Sequence, residues 1–284
     1  MSDLKVIRHP REMMDFSDAA RARGERIGFV PTMGFLHEGH LSLMREARRR
    51  ADIVIASIFV NPTQFGPNED LSSYPRNFAG DCAMMETVPV DVVFAPEAGD
   101  MYPARAQTWV EVTEVTRGLC GKGRPGHFRG VTTVVAKLFN IVKPHLAFFG
   151  EKDFQQLRAI QRMVADLNFD LEIVPMPIVR ERDHLAMSSR NAYLTPEQHC
   201  EALALSRAIA EVREKFPAMR APDDIVRMAT KILSRPGIAI EYVEVVDAET
   251  LEPAASLEAP VLMAIAARVG NTRLIDNVVL SRKS

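Results

Sequence analysis

Cysteine is scarce: the chain carries three in 284 residues. Cys82, Cys120 and Cys200 lie far apart and are odd in number. That excludes a disulfide framework and a CxxC metal site, and leads to the expectation of a reducing, cytoplasmic compartment. An excess of one charge is also lacking. Lys and Arg total 35 against 37 Asp and Glu, a formal net charge of −2. A protein that holds nucleic acid through a bulk positive field is thereby excluded, although a local basic patch remains open. Long apolar runs are missing as well. The longest stretch free of Asp, Glu, Lys and Arg spans Ile53–Asn68 and is broken by Asn61, Pro62, Gln64 and Pro67. It falls short of the ~18–20 apolar residues that cross a bilayer. The opening MSDLKVIRHP has acid and base but no apolar h-region, so no signal peptide is expected. Internal repeats and low-complexity linkers are absent too.

What is present is ordinary globular composition, 47% hydrophobic and 25% charged, and at about 150 residues per domain the length suggests two domains. Short apolar runs, β-branched or aromatic at successive positions, occur at Ile27–Val30, Ile53–Val60, Val90–Ala95, Ala147–Phe149 and Ile173–Val179. Strands buried on both faces read this way. Between them Leu41–Arg50, Val131–Val142 and Phe154–Leu167 have helical character; the last spaces Leu157, Ile160, Val164 and Leu167 by threes and fours. The alternation predicts a Rossmann-like, doubly wound parallel α/β domain over residues 1–184. The character then changes. Thr195-Pro196-Glu197-Gln198 offers a Thr cap, Pro at the first helical position and Gln three residues on. A second helix is expected over Asp223–Leu233, and strands over Ile238–Val246, Val261–Val269 and Arg273–Val279. Residues 185–284 therefore read as a smaller C-terminal α+β domain, expected to close over the active site.

The most informative stretch is Ile27 to His40, IGFVPTMGFLHEGH. A buried strand ends, a Pro/Gly turn follows and a helix begins near Gly39. His37 and His40 are three apart there, so both rings can face one side. The first-turn N–H groups and the positive end of the helix dipole attract phosphate. Two imidazoles beside them can stabilise charge that develops in a transition state. Either His alone would read as a surface or capping residue; the pair at the end of a first strand points to function. His-Glu-Gly-His lacks the four-residue spacing of a metalloprotease zinc motif.

Gly121-Lys122-Gly123-Arg124-Pro125-Gly126 fits G-x-G-x-x-G, yet Pro125 interrupts the turn and no acid occurs between His127 and Gly150. It therefore fails as a dinucleotide fingerprint. A loop bringing Lys122, Arg124 and His127 to an anion and a plain surface loop both remain open. Gly150-Glu151-Lys152-Asp153 follows a strand, where a Lys can hold phosphate as a point charge; alone it would be a solvated helix start. Gln64, after the second expected strand, and Gln156 offer donors and acceptors suited to a hydroxyl-bearing carboxylate, or else are plain polar surface. Met187-Ser188-Ser189-Arg190-Asn191 could wrap a triphosphate or serve as a Ser-rich linker. Asp81 is a lone acid that could help place Mg²⁺.

Together PTMGFLHEGH, FVNPTQF, SYPRN, CGKGRPGHFRGVTTVVAKLFNIVKP, FFGEKDFQQL and LAMSSRNAYLTP, in this order and spacing from Pro31 to Pro196, resemble the pantothenate synthetase (pantoate–β-alanine ligase) family. That family belongs to the nucleotidyl-transferring group related to class I aminoacyl-tRNA synthetases. Its HxGH motif corresponds to His37–His40, and LAMSSRN stands in place of that group's KMSKS loop. The resemblance implies an ATP-dependent, amide-forming ligase that condenses (R)-pantoate with β-alanine through a pantoyl-adenylate, releasing AMP and pyrophosphate. It also implies a homodimer.

Residue by residue, the resemblance assigns ATP binding to Met33, Gly34, Phe35, Leu36, His37, Glu38, Gly39 and His40, with His40 as proton donor. A second ATP segment comprises Gly150, Glu151, Lys152 and Asp153, and Val179 contacts adenine through its backbone. Met187, Ser188, Ser189 and Arg190 close over the phosphates. Gln64 and Gln156 hold pantoate, and Gln64 also touches β-alanine. His37, His40, Lys152, Arg190 and Mg²⁺ relieve phosphate charge. His184 departs from the family, which usually has Gly there. Two alternatives are a dinucleotide-forming adenylyltransferase of the same fold, disfavoured by the two glutamines, and a nicotinamide-dependent oxidoreductase using the Gly121–Gly126 loop.

Overall fold

The structure is a computed structural model that describes residues 4–67 and 69–282. In chain order it opens with β1 (Lys5–Ile7), α1 (Pro10–Ala22), β2 (Ile27–Thr32), α2 (Glu38–Arg50) and β3 (Ile53–Ile58). Next come α3 (Phe78–Glu86), β4 (Val92–Phe94), α4 (Ala98–Met101), α5 (Leu119–Gly123), α6 (His127–Val142) and β5 (Leu146–Gly150). The remainder is α7 (Phe154–Asp166), β6 (Glu172–Met176), α8 (Pro196–Lys215), α9 (Pro222–Leu233), β7 (Ile238–Asp247), β8 (Val261–Val269) and β9 (Thr272–Leu280). The chain folds into two compact units.

The first unit takes in Met1–Val112, Arg124–Glu151 and Gln156–Pro177. Its sheet runs β1-β4-β3-β2-β5-β6 with every pairing parallel. The continuous apolar runs split by strand alternation. Phe29, Ile55, Phe94, Ala147 and Phe149 face a core shared with α1, α6 and α7. Val30, Val54, Ala56, Val93 and Phe148 face a second core under α2 and α3. Both faces are covered, which is why these strands carry no polar alternation. The chain order reverses direction between β2 and β5, where Gly28 pairs with Leu146 and Phe29 with Ala147. The carboxyl ends of strands at such a switch point are where open α/β sheets take ligands.

The second unit takes in Thr113–Gly123, Lys152–Gln155 and Ile178–Ser284. Two short segments that the sequence reading places with residues 1–184 thus belong to it, and its main run begins at Ile178. Its sheet is antiparallel, β7-β8-β9. Along β8, Val261, Met263, Ile265 and Val269 face α8 and α9. Leu262 and Ala264 face a smaller core with Leu119, Val246 and Leu251. The α8 start is the capping box expected from Thr195 and Gln198: Gln198 N–H donates to Thr195 Oγ1 at 3.3 Å, and Thr195 N–H to Gln198 Oε1 at 3.1 Å. Among the described residues no helix is long and apolar enough to cross a membrane.

Candidate active site

At the carboxyl end of β2, Thr32 Oγ1 donates to the Ser57 carbonyl at 2.6 Å and accepts the Gly34 N–H at 3.1 Å, turning the chain. Gly34 has φ +83°, and a Cβ there would lie 2.9 Å from Asp81 Oδ2. Phe35 follows at φ +51°. The Asp81 carboxylate, on the first turn of α3, holds this bend: Oδ2 accepts Phe35 N–H at 2.9 Å and Oδ1 accepts Leu36 N–H at 2.7 Å. Burial pushes the Asp81 carboxyl up, against the opposing pull of the Leu36 and Phe35 N–H groups. Both oxygens of the acid suggested as a Mg²⁺ ligand are thus engaged by backbone.

His37 caps α2 with extended backbone. Its Nδ1 accepts Gly39 N–H at 3.1 Å, while His40 Nδ1 accepts His37 N–H at 3.3 Å. The rings lie 4.1 Å apart, tilted by 40°. The three-residue spacing anticipates the shared side but not this reciprocal cap. Because both Nδ1 atoms accept, each neutral ring carries its proton on Nε2. Two Nε2–H donors therefore stand at the positive end of α2.

Beyond β3, Pro62–Gln64 form a 3₁₀ turn capped by Asn61, which is 1% exposed. Asn61 Oδ1 accepts from Thr63 Oγ1 and from the Tyr102 hydroxyl, each at 2.9 Å. Its Nδ2 donates to Gln64 Oε1 at 3.0 Å and to the Gly130 carbonyl at 3.1 Å. With its oxygen occupied, the Gln64 amide turns Nε2 toward Met33 Sδ at 3.1 Å, so the β2 and β3 loops meet. α6 packs directly on the turn through Gly130, where a Cβ would sit 2.3 Å from the Thr63 carbonyl oxygen and 2.8 Å from Gln64 Cα.

The glycine-rich stretch covers the last three residues of α5 and the turn into α6, not a strand-to-helix turn, so it lacks the context of a nicotinamide site. Arg124 forks onto Glu69 at 2.7 and 2.6 Å. It also donates to His127 Nε2 at 2.8 Å, and His127 Nδ1 lies 2.8 Å from the Gln64 carbonyl. Since Arg only donates, His127 accepts at Nε2 and donates at Nδ1. These two residues clamp the Gln64 backbone; Lys122 lies in the last turn of α5, in the other unit. Gln156 is the third residue of α7 and belongs to the first unit.

In the second unit the Lys152 ammonium lies 3.7 Å from the Asp153 carboxylate. β6 ends at Met176, so Val179 stands past the strand rather than at its end, and its carbonyl accepts Met187 N–H at 3.0 Å. Ser188 Oγ accepts Arg190 N–H at 3.3 Å and caps the 3₁₀ turn Ser189–Tyr193. Asn191 Nδ2 donates to Glu181 Oε1 at 2.6 Å and to the Ala186 carbonyl at 3.1 Å. Glu181, Asp183 and His199 converge with metal-like spacing. Their atoms are tied to one another, however, with His199 Nε2 2.7 Å from Asp183 Oδ2. His184 sits at φ +75°.

Sequence reasoning missed Asn61, Tyr102 and Gly130 as supports of Gln64; Asn61 stands three residues before it as the cap of its turn, whereas no local spacing links Tyr102 or Gly130 to it.

Comparison with known proteins covers nearly the whole chain. The profile of the pantoate-beta-alanine ligase family matches residues 5–279. The pantothenate synthetase of Geobacter sulfurreducens is 56% identical over 285 residues, covering 99% of this chain and 100% of the relative. The crystal structure of pantothenate synthetase from Thermus thermophilus superposes with TM-score 0.91 at 43% identity, over 97% of this chain and 99% of that one. The pantoate-beta-alanine ligase from Francisella tularensis, complexed with beta-gamma ATP and beta-alanine, gives TM-score 0.81 at 32% identity, with 97% of each chain covered. With its family profile, its close relatives and its fold in agreement over nearly the full length, the chain belongs to the pantoate–β-alanine ligase family.

Proposed function

We propose that this chain condenses (R)-pantoate with β-alanine at the expense of MgATP, through an enzyme-bound pantoyl-adenylate. The observation that carries the reading is the reciprocal His37–His40 cap, which supplies two Nε2–H donors at the positive end of α2 on the switch-point edge. The Francisella relative's complex with an ATP species and β-alanine supports the same substrates here.

In the first half-reaction the pantoate carboxylate attacks the α-phosphorus and pyrophosphate leaves. The carboxylate is ionised at pH 7, so no base is required. Positioning and charge relief supply the rate. Met33 to His40 form the first ATP segment, with His40 as proton donor. Gly150 to Asp153 form the second, Val179 contacts adenine, and Met187 to Arg190 cover the phosphates. Gln64, with its oxygen held by Asn61, presents Nε2–H to the pantoate carboxylate, and Gln156 adds a second contact. In the second half-reaction the β-alanine amine attacks the acyl carbon and AMP leaves. Excluding water at this stage protects the mixed anhydride from hydrolysis.

The engaged oxygens of Asp81 fit a brace for the β2 loop better than a metal ligand. Mg²⁺ then enters as part of the nucleotide substrate, held by phosphate oxygens and water. A cytoplasmic homodimer completes the reading. Its test is exchange of labelled pyrophosphate into ATP, which is expected to depend on pantoate and to proceed without β-alanine. Exchange with nicotinamide or flavin phosphates but not pantoate would favour an adenylyltransferase of the same fold.

A further inference from the structure

Two neighbouring residues on β9, Asp276 and Asn277, are 2% and 7% exposed although both are polar. Burying them is costly without full hydrogen bonding, and their partners lie far away in sequence. Arg180 forks onto Asp276, Nη1 to Oδ2 at 2.7 Å and Nη2 to Oδ1 at 2.9 Å. The same Nη1 donates to the His184 carbonyl at 3.1 Å. Arg180 and Ala186 pair as an isolated antiparallel bridge, and Glu181 N–H donates to the Leu185 carbonyl at 2.8 Å. Asp276 thus anchors the base of the hairpin that delivers Met187–Arg190. One residue on, Asn277 Nδ2 donates to the Lys152 carbonyl at 2.9 Å. All these residues belong to the second unit.

We infer that Asp276 and Asn277 are positioning residues for the nucleotide. From adjacent places on one rigid strand, they fix the backbone of the Lys152 segment and of the Met187–Arg190 loop together. The inference rests on the proposed ATP roles of Lys152 and Arg190. The chemistry is suited to the task. A bidentate Arg–carboxylate pair fixes orientation as well as distance, and an Asn amide can donate to a carbonyl while its oxygen serves another partner. Two cation-bearing segments referenced to one strand keep a constant separation, which a polyphosphate spanning them requires. Neither residue need touch the nucleotide.

The test compares wild type, Asn277→Ala and Arg180→Lys in steady-state kinetics and thermal unfolding. The lysine keeps the charge and loses the fork. Each variant should raise KM for ATP by about 3–10-fold, the scale of one lost hydrogen bond. KM for pantoate should stay within about twofold, because Gln64 and its supports lie in the other unit. A merely structural role would lower the unfolding temperature or the active fraction without shifting KM for ATP. A folded variant with unchanged KM for ATP overturns the inference. If Asn277→Ala does not fold, the half-buried Arg180→Lys decides by the same criterion. Absence of pantoate-dependent pyrophosphate exchange in wild type would instead sink the functional reading itself.

Discussion

Gly130 offers a sharp test of how the pantoate contact is built. In Gly130→Ala the new methyl carbon would start 2.3 Å from the Thr63 carbonyl oxygen, 2.6 Å from its carbon and 2.8 Å from Gln64 Cα. Ordinary contact is about 3.4 Å or more, so the 62–64 turn must retreat by about 1 Å or α6 must shift. The obstacle is backbone, which cannot rotate aside as a side chain could. Two stability effects oppose each other. Ala is better than Gly inside a helix by about 1 kcal/mol, whereas overpacking costs about 1–3 kcal/mol. The net loss is therefore about 0–2 kcal/mol, and the protein should still fold. Activity should suffer more, because a displacement of about 1 Å in a positioning group can cost about 10²-fold. Steady-state assays of pyrophosphate release at varied pantoate should show kcat/KM for pantoate down about 10–100-fold, with KM for ATP within about twofold. Wild-type kinetics for pantoate would refute the reasoning, since either the turn yields freely or Gln64 does not hold the acid.

Three further outcomes follow from individual contacts. Asp81→Asn leaves one of the Phe35 and Leu36 N–H groups facing an amide donor, so stability should drop by about 1–3 kcal/mol and KM for ATP should rise; an unchanged KM in the folded variant would remove Asp81 from the β2 loop's support. His184→Gly relieves a left-handed backbone that costs an L-residue about 1–2 kcal/mol, partly offset by glycine's greater freedom when unfolded. Its melting temperature should rise slightly with ATP kinetics unchanged, and a fall would show that the imidazole makes contacts outweighing the strain. His145 Nδ1 accepts the Ile27 N–H at 2.9 Å, and burial, with Arg21 and Arg26 nearby, holds its pKa below the ordinary value. The folded state then binds fewer protons than the unfolded one, so this contribution is present above about pH 6.5 and is lost as pH falls through the lowered pKa. Thermal melts of wild type and His145→Gln across pH 5–8 should converge at the acid end, and parallel curves would contradict the assignment.

What could be read from the residues alone is what their near neighbours determine. Four buried strands of the first unit announced themselves because helices cover both faces, leaving runs such as Ile53-Val54-Ile55-Ala56 without alternation, whereas the edge strand β6, expected as a fifth buried run over Ile173–Val179, buries only Val174 and ends at Met176. The α8 start was legible because a capping box is a four-residue affair. β1 was not, since its three residues, two of them exposed, take strand form only by pairing with β4 at the sheet edge. The α3 helix also passed unnoticed, for only Asp81 and Met85 along it are buried. Within the site, the spacing of His37 and His40 placed both on one side, but the exchange of caps that sets their tautomers required the folded turn. Asp81 read as a lone acid because the amides it holds are 45 and 46 residues away. Asn277 gave no signal at all, as its partner carbonyl lies 125 residues distant. Arg124 and His127 resembled an anion loop until Glu69 and the Gln64 carbonyl supplied their partners.

The order of bond making and breaking tests the central claim most directly. Enzyme in slight molar deficit is mixed with labelled MgATP and pantoate, without β-alanine, and quenched in acid on the millisecond scale. The adenylate route predicts a burst of pyrophosphate about equal to the enzyme concentration, followed by slow release as the sequestered anhydride hydrolyses. Pyrophosphate that forms only once β-alanine is added would contradict it.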